Sequence, residues 1–405
     1  MPDLPASAAT ARRSALDRVA LAAVAVLALV IPIRPTETAP ASAAPASVGG
    51  ARLATTGVVH SPGTLPLPAS ATSDSWLVAD GATGRILAAK NPHGRYAPAS
   101  TQKVLTALTL LPVLADRTRT VIADRSDVSS PPDLAGLVAG GTYPVGVLFE
   151  CMLLVSANDC ANALARANGG GPKTVAAMNA TATHLNADDT RVRNVTGLDS
   201  VGQTTSAYDL ALIMRAAAER PDFLQYDAKP DAVLPEVPNR SGLITFANGN
   251  HLVGNYAGAV AAKTGYSDAG LQTYVAVLRK DNRTMIVSLM HGDRAGGDVW
   301  LQAVDLAEWG FQVPATAKGV GVLVEPGRAH ASAPPTPARS TAPTTRPTRQ
   351  RPAPAPAPPD PATRAAAAAS GRTTDPWLPW FIGVGVVLAL AMLGVGLSMR
   401  HRPAH

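Results

Sequence analysis

A serine and a lysine three positions apart, Ser100-Thr101-Gln102-Lys103, are the side chains whose types and spacing best suit covalent chemistry. At the first turn of a helix, positions i and i+3 share a face, so the lysine amine reaches the serine hydroxyl. A serine hydroxyl is a weak nucleophile at neutral pH, and a neighbouring amine with a depressed pKa can take its proton. Amides at a helix start also favour negative charge on an acylated centre. Taken alone, the spacing equally describes an ordinary serine cap. Ser156-Ala157-Asn158 sets a second hydroxyl beside a carboxamide, between the apolar run Met152-Leu153-Leu154-Val155 and the helical stretch 159–165. Lys263-Thr264-Gly265 ends the strand-like run 259–262. These two also have plain readings, a polar cap and a strand-ending turn.

The elements that must hold these residues are legible between positions 75 and 325. Trp76-Leu77-Val78-Ala79 and Arg85-Ile86-Leu87-Ala88-Ala89 read as short strands around the turn-rich Asp80-Gly81-Ala82-Thr83-Gly84. Val104, Leu105, Leu108 and Leu111 recur at helical spacing and predict a helix over 101–114, announced by Pro98. Further helices are expected at 145–166, 173–186, 206–219 and 298–311. Strands return at 258–263, 271–279 and 284–291, with Asp281-Asn282 at the last turn. Strands at both ends with helices between them predict an α/β domain: one antiparallel sheet formed by both chain ends, with an inserted helical lobe.

The 405 residues carry 46% hydrophobic and 4% aromatic residues and only 2 cysteines, which excludes a wholly disordered chain and a disulfide-dense miniprotein. The net charge of +6 does not mark a nucleic-acid binder. Much of the excess lies in a proline-rich segment, with Arg339, Arg346, Arg349 and Arg351, and not on a basic face interleaved with aromatics. Arg12, Arg13 and Arg18, the apolar run 19–33 and the small residues 39–44 have the layout of a signal peptide, assigned to 1–43. The arginine pair raises the twin-arginine route, whose surrounding pattern fits poorly. Residues 44–74 read as a flexible extension, 75–325 as the folded domain and 326–376 as a disordered Pro/Ala/Thr-rich stalk. The uncharged run 378–399, flanked by Trp377, Trp380 and Arg400, predicts a transmembrane helix over 377–399, with 400–405 as a cytoplasmic tail. The expected location is the bacterial cell membrane, single-pass, with the domain on the extracytoplasmic side.

In this order and spacing the three motifs resemble the Ser-x-x-Lys, Ser-x-Asn and Lys-Thr-Gly signatures of the penicilloyl serine transferases. Longer stretches, including Tyr96-Ala97-Pro98-Ala99-Ser100-Thr101-Gln102-Lys103, Asn194-Val195-Thr196-Gly197-Leu198-Asp199 and 263–270, are similar to the low-molecular-mass penicillin-binding proteins that act as D-alanyl-D-alanine carboxypeptidases. The likeness covers nearly all of 75–312, although the β-rich domain that many such enzymes add is missing before the stalk. Gln102 replaces a threonine common in the family.

The resemblance implies a β-lactamase/transpeptidase-like fold and a role for each motif residue. Ser100 is expected as nucleophile, Lys103 as base and Ser156 as proton relay. Asn158 would hold substrate and order Lys103, Lys263 with Thr264 would take the terminal carboxylate, and Gly265 would lead into Tyr266. The amides of Ser100 and Tyr266 would bind the oxyanion. The implied partners are peptidoglycan stem peptides ending in D-Ala-D-Ala and β-lactams, with no cofactor or metal and no nucleic acid. A serine β-lactamase would need a carboxylate for deacylation, and Val192-Arg193-Asn194 offers no glutamate. A non-catalytic wall-binding protein on the same fold is the other alternative, against which the intact motifs argue. Cys151 and Cys160 bracket the second motif, either bridged or as two buried thiols.

Overall fold

The computed structural model describes residues 47–327. The expected signal peptide, all but the start of the stalk, the transmembrane helix over 377–399 and the tail lie outside the described residues. Among those described, no helix is long and apolar enough to cross a membrane.

In chain order the strands are β1 (Val58–His60), β2 (Ser75–Asp80), β3 (Arg85–Lys90), β4 (Thr120–Ile122), β5 (Thr142–Pro144), β6 (Asp231–Leu234), β7 (Ile244–Ala247), β8 (Ala259–Ser267), β9 (Leu271–Lys280), β10 (Arg283–Gly292) and β11 (Gly321–Val322). The helices are α1 (Lys103–Leu110), α2 (Val145–Leu154), α3 (Asn158–Ala167), α4 (Gly171–His184), α5 (Ala207–Ala218), α6 (Pro221–Asp227) and α7 (Val299–Gln312). The main sheet is antiparallel and runs β1-β3-β2-β10-β9-β8, with β11 also paired to β3. The hairpins β4–β5 and β6–β7 stand apart from it.

The side-chain period of two explains how this sheet is covered on both faces. Leu77, Ala79, Val275, Val277 and Ile286 enter the core shared with the helical lobe, which lies between β3 and β8 in sequence. Their neighbours Trp76, Val78, Tyr274, Ala276, Met285 and Val287 enter a second core with Leu306 and Trp309 of α7. Strands buried on both faces read as nearly continuous apolar runs, which is why β2, β3, β9 and β10 stand out in the sequence. Asp281 and Asn282 make the expected turn between β9 and β10, and both adopt left-handed backbone, at φ 48° and 62°.

Three expectations are corrected. Residues 47–74 are not a flexible extension: β1 pairs with β3 through Val58, Val59 and His60, and Leu53 is fully buried in the lobe-side core. The segment contributes a 3-10 turn over Ala51–Leu53, a three-residue edge strand and isolated apolar anchors, too little to leave a periodic pattern. The helix expected over 101–114 is a 3-10 turn over Ala99–Gln102 followed by α1, which stops at Leu110. Pro112 has no amide to donate to Leu108, so the helical ladder cannot continue. The helix expected over 145–166 is two, α2 and α3, broken where Ser156 adopts φ 64°. The Cys151 carbonyl accepts both Val155 N and Ala157 N at 3.2 Å, which closes the last turn of α2 and redirects the chain. The hairpins β4–β5 and β6–β7 and the short helix α6 were not expected.

Candidate active site

Ser100 lies in the 3-10 turn at the entrance to α1, a helix buried on nearly every side. The turn is wedged in place. Thr101 Oγ1 and Thr273 Oγ1 of β9 both donate to Pro98 O, at 2.6 and 2.9 Å. Ala99 sits at φ 47°, a conformation that costs a non-glycine residue energy and persists where the surroundings enforce it. Gly197 helps to do so: a Cβ there would lie 1.9 Å from Ala99 O. On the other side a Cβ on Gly265 would lie 2.7 Å from Ser100 N, so β8 approaches the serine amide with nothing between them.

Lys103 is fully buried, and its Nζ makes three contacts: Ser100 Oγ at 2.8 Å, Asn158 Oδ1 at 2.8 Å and Thr196 O at 2.7 Å. Two of the three partners are carbonyl oxygens, which only accept. A neutral amine therefore gives its two protons to Asn158 and Thr196 and turns its lone pair on Ser100, the one partner able to donate. Burial, and then the Lys263 cation, holds the Lys103 pKa well below the usual lysine range, against the opposing pull of Asp133 and Asp159. The arrangement is thus an amine poised to take the serine proton.

Asn158 opens α3 and is clamped: its Nδ2 donates to Ser130 O at 2.9 Å and its amide to Asp133 O at 2.7 Å. Asp159, the next residue, accepts from the amides of Ala135, Gly136 and Leu137 at 2.9 to 3.0 Å, fixing the loop that carries Asp133. Ser156 has a buried Oγ with no hydrogen-bond partner among the described residues. An unpaired buried hydroxyl is costly to keep, and here it faces the cleft.

That cleft, of about 200 Å³, is lined by Ser100, Asp133, Leu154, Val155, Ser156, Gly249, Thr264, Gly265 and Tyr266. Lys263 is buried beside it, its Nζ donating to Thr264 O at 2.9 Å. Burial brings its pKa down to about 8, opposed by the carboxylates of Asp227 and Asp133. The half-exposed Tyr266 ring lies under the Arg294 guanidinium, 4.5 Å from its centroid. The three motifs, distant in sequence, thus meet at one end of β8: Ser100, Ser156, Thr264, Gly265 and Tyr266 on the cleft, Lys103, Asn158 and Lys263 immediately behind.

Other sequence readings fare variously. Gln102 does not face the cleft; its Nε2 donates to Asn194 O, tying the nucleophile turn to the loop whose Thr196 carbonyl holds Lys103. Asp199 is a loop residue whose carboxylate takes Ser267 Oγ at 2.7 Å and Ala269 N at 2.9 Å, pinning the β8–β9 turn. Asp209, in the first turn of α5, is buried and accepts from Thr190 Oγ1 at 2.7 Å. Cys151 and Cys160 are free, buried thiols in contact with one another. Sequence reasoning missed Thr196, Asp133 and Asp227. Thr196 acts through a backbone carbonyl, which has no side-chain signature, and the two aspartates reach the site only through tertiary packing.

Comparison with known proteins agrees with this geometry. Residues 63–294 match the peptidase S11 family model, described as D-alanyl-D-alanine carboxypeptidase. The chain is 37% identical over 257 residues to D-alanyl-D-alanine carboxypeptidase DacB2 of Mycobacterium tuberculosis, covering 62% of this chain and 87% of that protein. A crystal structure of a D-alanyl-D-alanine carboxypeptidase from Mycobacterium tuberculosis H37Rv superposes with a TM-score of 0.61 at 38% identity, over 65% of this chain and 99% of that one. The Streptomyces K15 DD-transpeptidase has the same fold, with a TM-score of 0.57 at 22% identity over 61% of this chain and 99% of its own.

Proposed function

The chain belongs to the D-alanyl-D-alanine carboxypeptidase family, and from that premise we propose how its own residues carry the reaction. It is a serine-type DD-carboxypeptidase, a hydrolase that removes the terminal D-alanine from peptidoglycan stem peptides, and a penicillin-binding protein. Lys103, neutral, takes the Ser100 proton as Oγ attacks the carbonyl between the two D-alanines. The tetrahedral oxyanion sits between the amides of Ser100 and Tyr266, a placement supported by the close approach of Gly265 to Ser100 N. Ser156 passes the proton from Lys103 to the departing amine, leaving an acyl-enzyme and free D-alanine. Water then enters, loses its proton to Lys103 as it attacks the ester carbonyl, and Lys103 returns that proton to Ser100 Oγ as the acyl–oxygen bond breaks and the shortened peptide leaves. The observation that carries this reading is the Lys103 amine held between two carbonyl acceptors with its remaining contact on Ser100 Oγ.

The direct test is free D-alanine. The full chain incubated with a pentapeptide ending in D-Ala-D-Ala should release D-alanine stoichiometrically with the tetrapeptide, and a chain that binds the peptide without releasing any contradicts the proposal. A β-lactamase reading has no better support, since no glutamate occupies the 192–194 stretch.

Lys263, with Thr264, is assigned to the substrate's terminal carboxylate. Removing one partner of a buried charge pair costs about 2–5 kcal/mol, so Lys263→Gln should lower kcat/KM on the free-acid substrate by at least about 30-fold. A substrate amidated at the last D-alanine should be poor for the parent enzyme and lose little more in the variant. Equal losses on both substrates would show that Lys263 acts otherwise, for example on Lys103.

We further assign residues 378–399 to a membrane anchor and the proline-rich segment before them to a spacer, placing the catalytic domain outside the cell membrane. Val324 N donates to Tyr208 Oη and Gly327 N donates to His184 O, so the domain extends to Gly327. Truncation after Gly327 should yield a soluble protein with parental activity on a soluble pentapeptide. Lost activity on that peptide would show that the segment belongs to the folded domain.

A further inference from the structure

Asp227, the last residue of α6, is buried beside the site and takes no part in the reaction described above. Its Oδ2 accepts the Ala262 amide at 2.7 Å. Among the described residues β8 ends the sheet order, and no strand pairs with its outer edge. At Ala262 that edge is closed on both polar groups: Asp227 takes the N–H, and Asn250 Nδ2 reaches the carbonyl at 3.4 Å. With a strand period of two, the next residue whose polar groups face the edge is Thr264, on the cleft. Asp227 therefore sits where the covered edge gives way to the edge a peptide can meet.

The residue between these two positions is Lys263. Among the described residues its buried ammonium has one hydrogen-bond partner, the neutral acceptor Thr264 O. A buried cation without a counter-charge is costly. The charged and titratable groups around it come from four elements: Asp227 at the end of α6, Asp133 on the loop before β5, Lys103 of α1 and Tyr274 of β9, which faces Asp227. Asp133 is exposed and Lys103 repels, which leaves Asp227 as the buried counter-charge.

We propose that Asp227 is a positioning residue for the carboxypeptidase reaction: its carboxylate keeps Lys263 charged and anchors Ala262, so that the ammonium is presented to the terminal carboxylate of the peptide. This rests on the assignment of Lys263 made above. Burial raises Asp227 to about 7 while Lys263 lies at about 8. Below pH 7 Asp227 is already neutral and Lys263 keeps its proton regardless. Its influence is therefore confined to the alkaline side, where loss of the carboxylate lets Lys263 deprotonate sooner.

Asp227→Asn tests this, because the amide oxygen still accepts from Ala262 N while the charge is gone. Relative to the parent, the alkaline limb of kcat/KM on a D-Ala-D-Ala pentapeptide should move down by about one pH unit. At pH 8 the KM should rise about fivefold with a smaller change in kcat, whereas at pH 6 the two proteins should agree within about twofold. In a Lys263→Gln background the same substitution should add no further pH-dependent loss. An unmoved limb, or equal losses at pH 6 and pH 8, overturns the proposal and leaves Asp227 a purely structural acceptor. Should Asp227→Asn fail to fold, Asp227→Glu carries the test: it retains the charge and should retain the parental limb, and a limb shifted downward would count against the proposal. If the parent itself releases no D-alanine, the functional reading has failed; if it does and the limb stays, only this inference has.

Discussion

Ser100→Ala should abolish D-alanine release, with kcat reduced by about 10⁴-fold or more, and should abolish covalent labelling by a fluorescent penicillin. Both follow from one atom. The peptide and the β-lactam each present a carbonyl to Ser100 Oγ, and the substitution removes the only group that forms the ester. The change is small in volume at a residue that is 8% exposed, and the turn keeps its anchors through Thr101 and Thr273, so folding should survive. An unchanged thermal melting curve would establish that the loss is chemical. Labelling that persists in the variant would remove Ser100 from the mechanism.

Lys103→Ala should lower kcat by about 10²- to 10⁴-fold, the usual contribution of a positioned base. It also orphans two buried acceptors, Asn158 Oδ1 and Thr196 O, so a lower melting temperature is expected alongside. The pH profile of the parent separates the two lysines by sign. Lys103 must be neutral to accept a proton, so activity rises with pH as it deprotonates, well below the ordinary lysine range. Lys263 must be charged to hold a carboxylate, so activity falls as pH passes about 8. A bell results, and Lys263→Gln should remove its alkaline limb and, with the Lys263 cation gone, move the acid limb to higher pH.

How far the site was legible in the sequence depended on whether its signals were local. Ser100 and Lys103 share one helical turn, Ser156 and Asn158 flank a single residue, and Lys263 to Tyr266 form one end of a strand, so each motif is a short string. Their meeting was implied by resemblance to a family and required the fold to be seen. The strands around them were legible because β2, β9 and β10 are buried on both faces and leave unbroken apolar runs. The break at Ser156 was not, because Val145 to Ala167 is helical in composition throughout, and a left-handed serine is imposed by the amides converging on Cys151 O. Thr196 gives a carbonyl and Asp227 a carboxylate across long sequence separations, and neither stands in a pattern of its own. Residues 47–74 failed for the opposite reason: their order comes from pairing with β3, which no property of the segment alone announces.

The central claim is that the substrate's penultimate D-alanine becomes esterified to Ser100 as the terminal one leaves. Rapid mixing of the full chain with a D-Ala-D-Ala pentapeptide, acid quenching and mass spectrometry of the proteolytic fragments measures that bond. The account predicts an adduct equal in mass to the acyl group of the shortened peptide, carried by the fragment containing Ser100 and formed together with one equivalent of D-alanine. D-alanine released with no adduct at any time, or an adduct on a different residue, would contradict it.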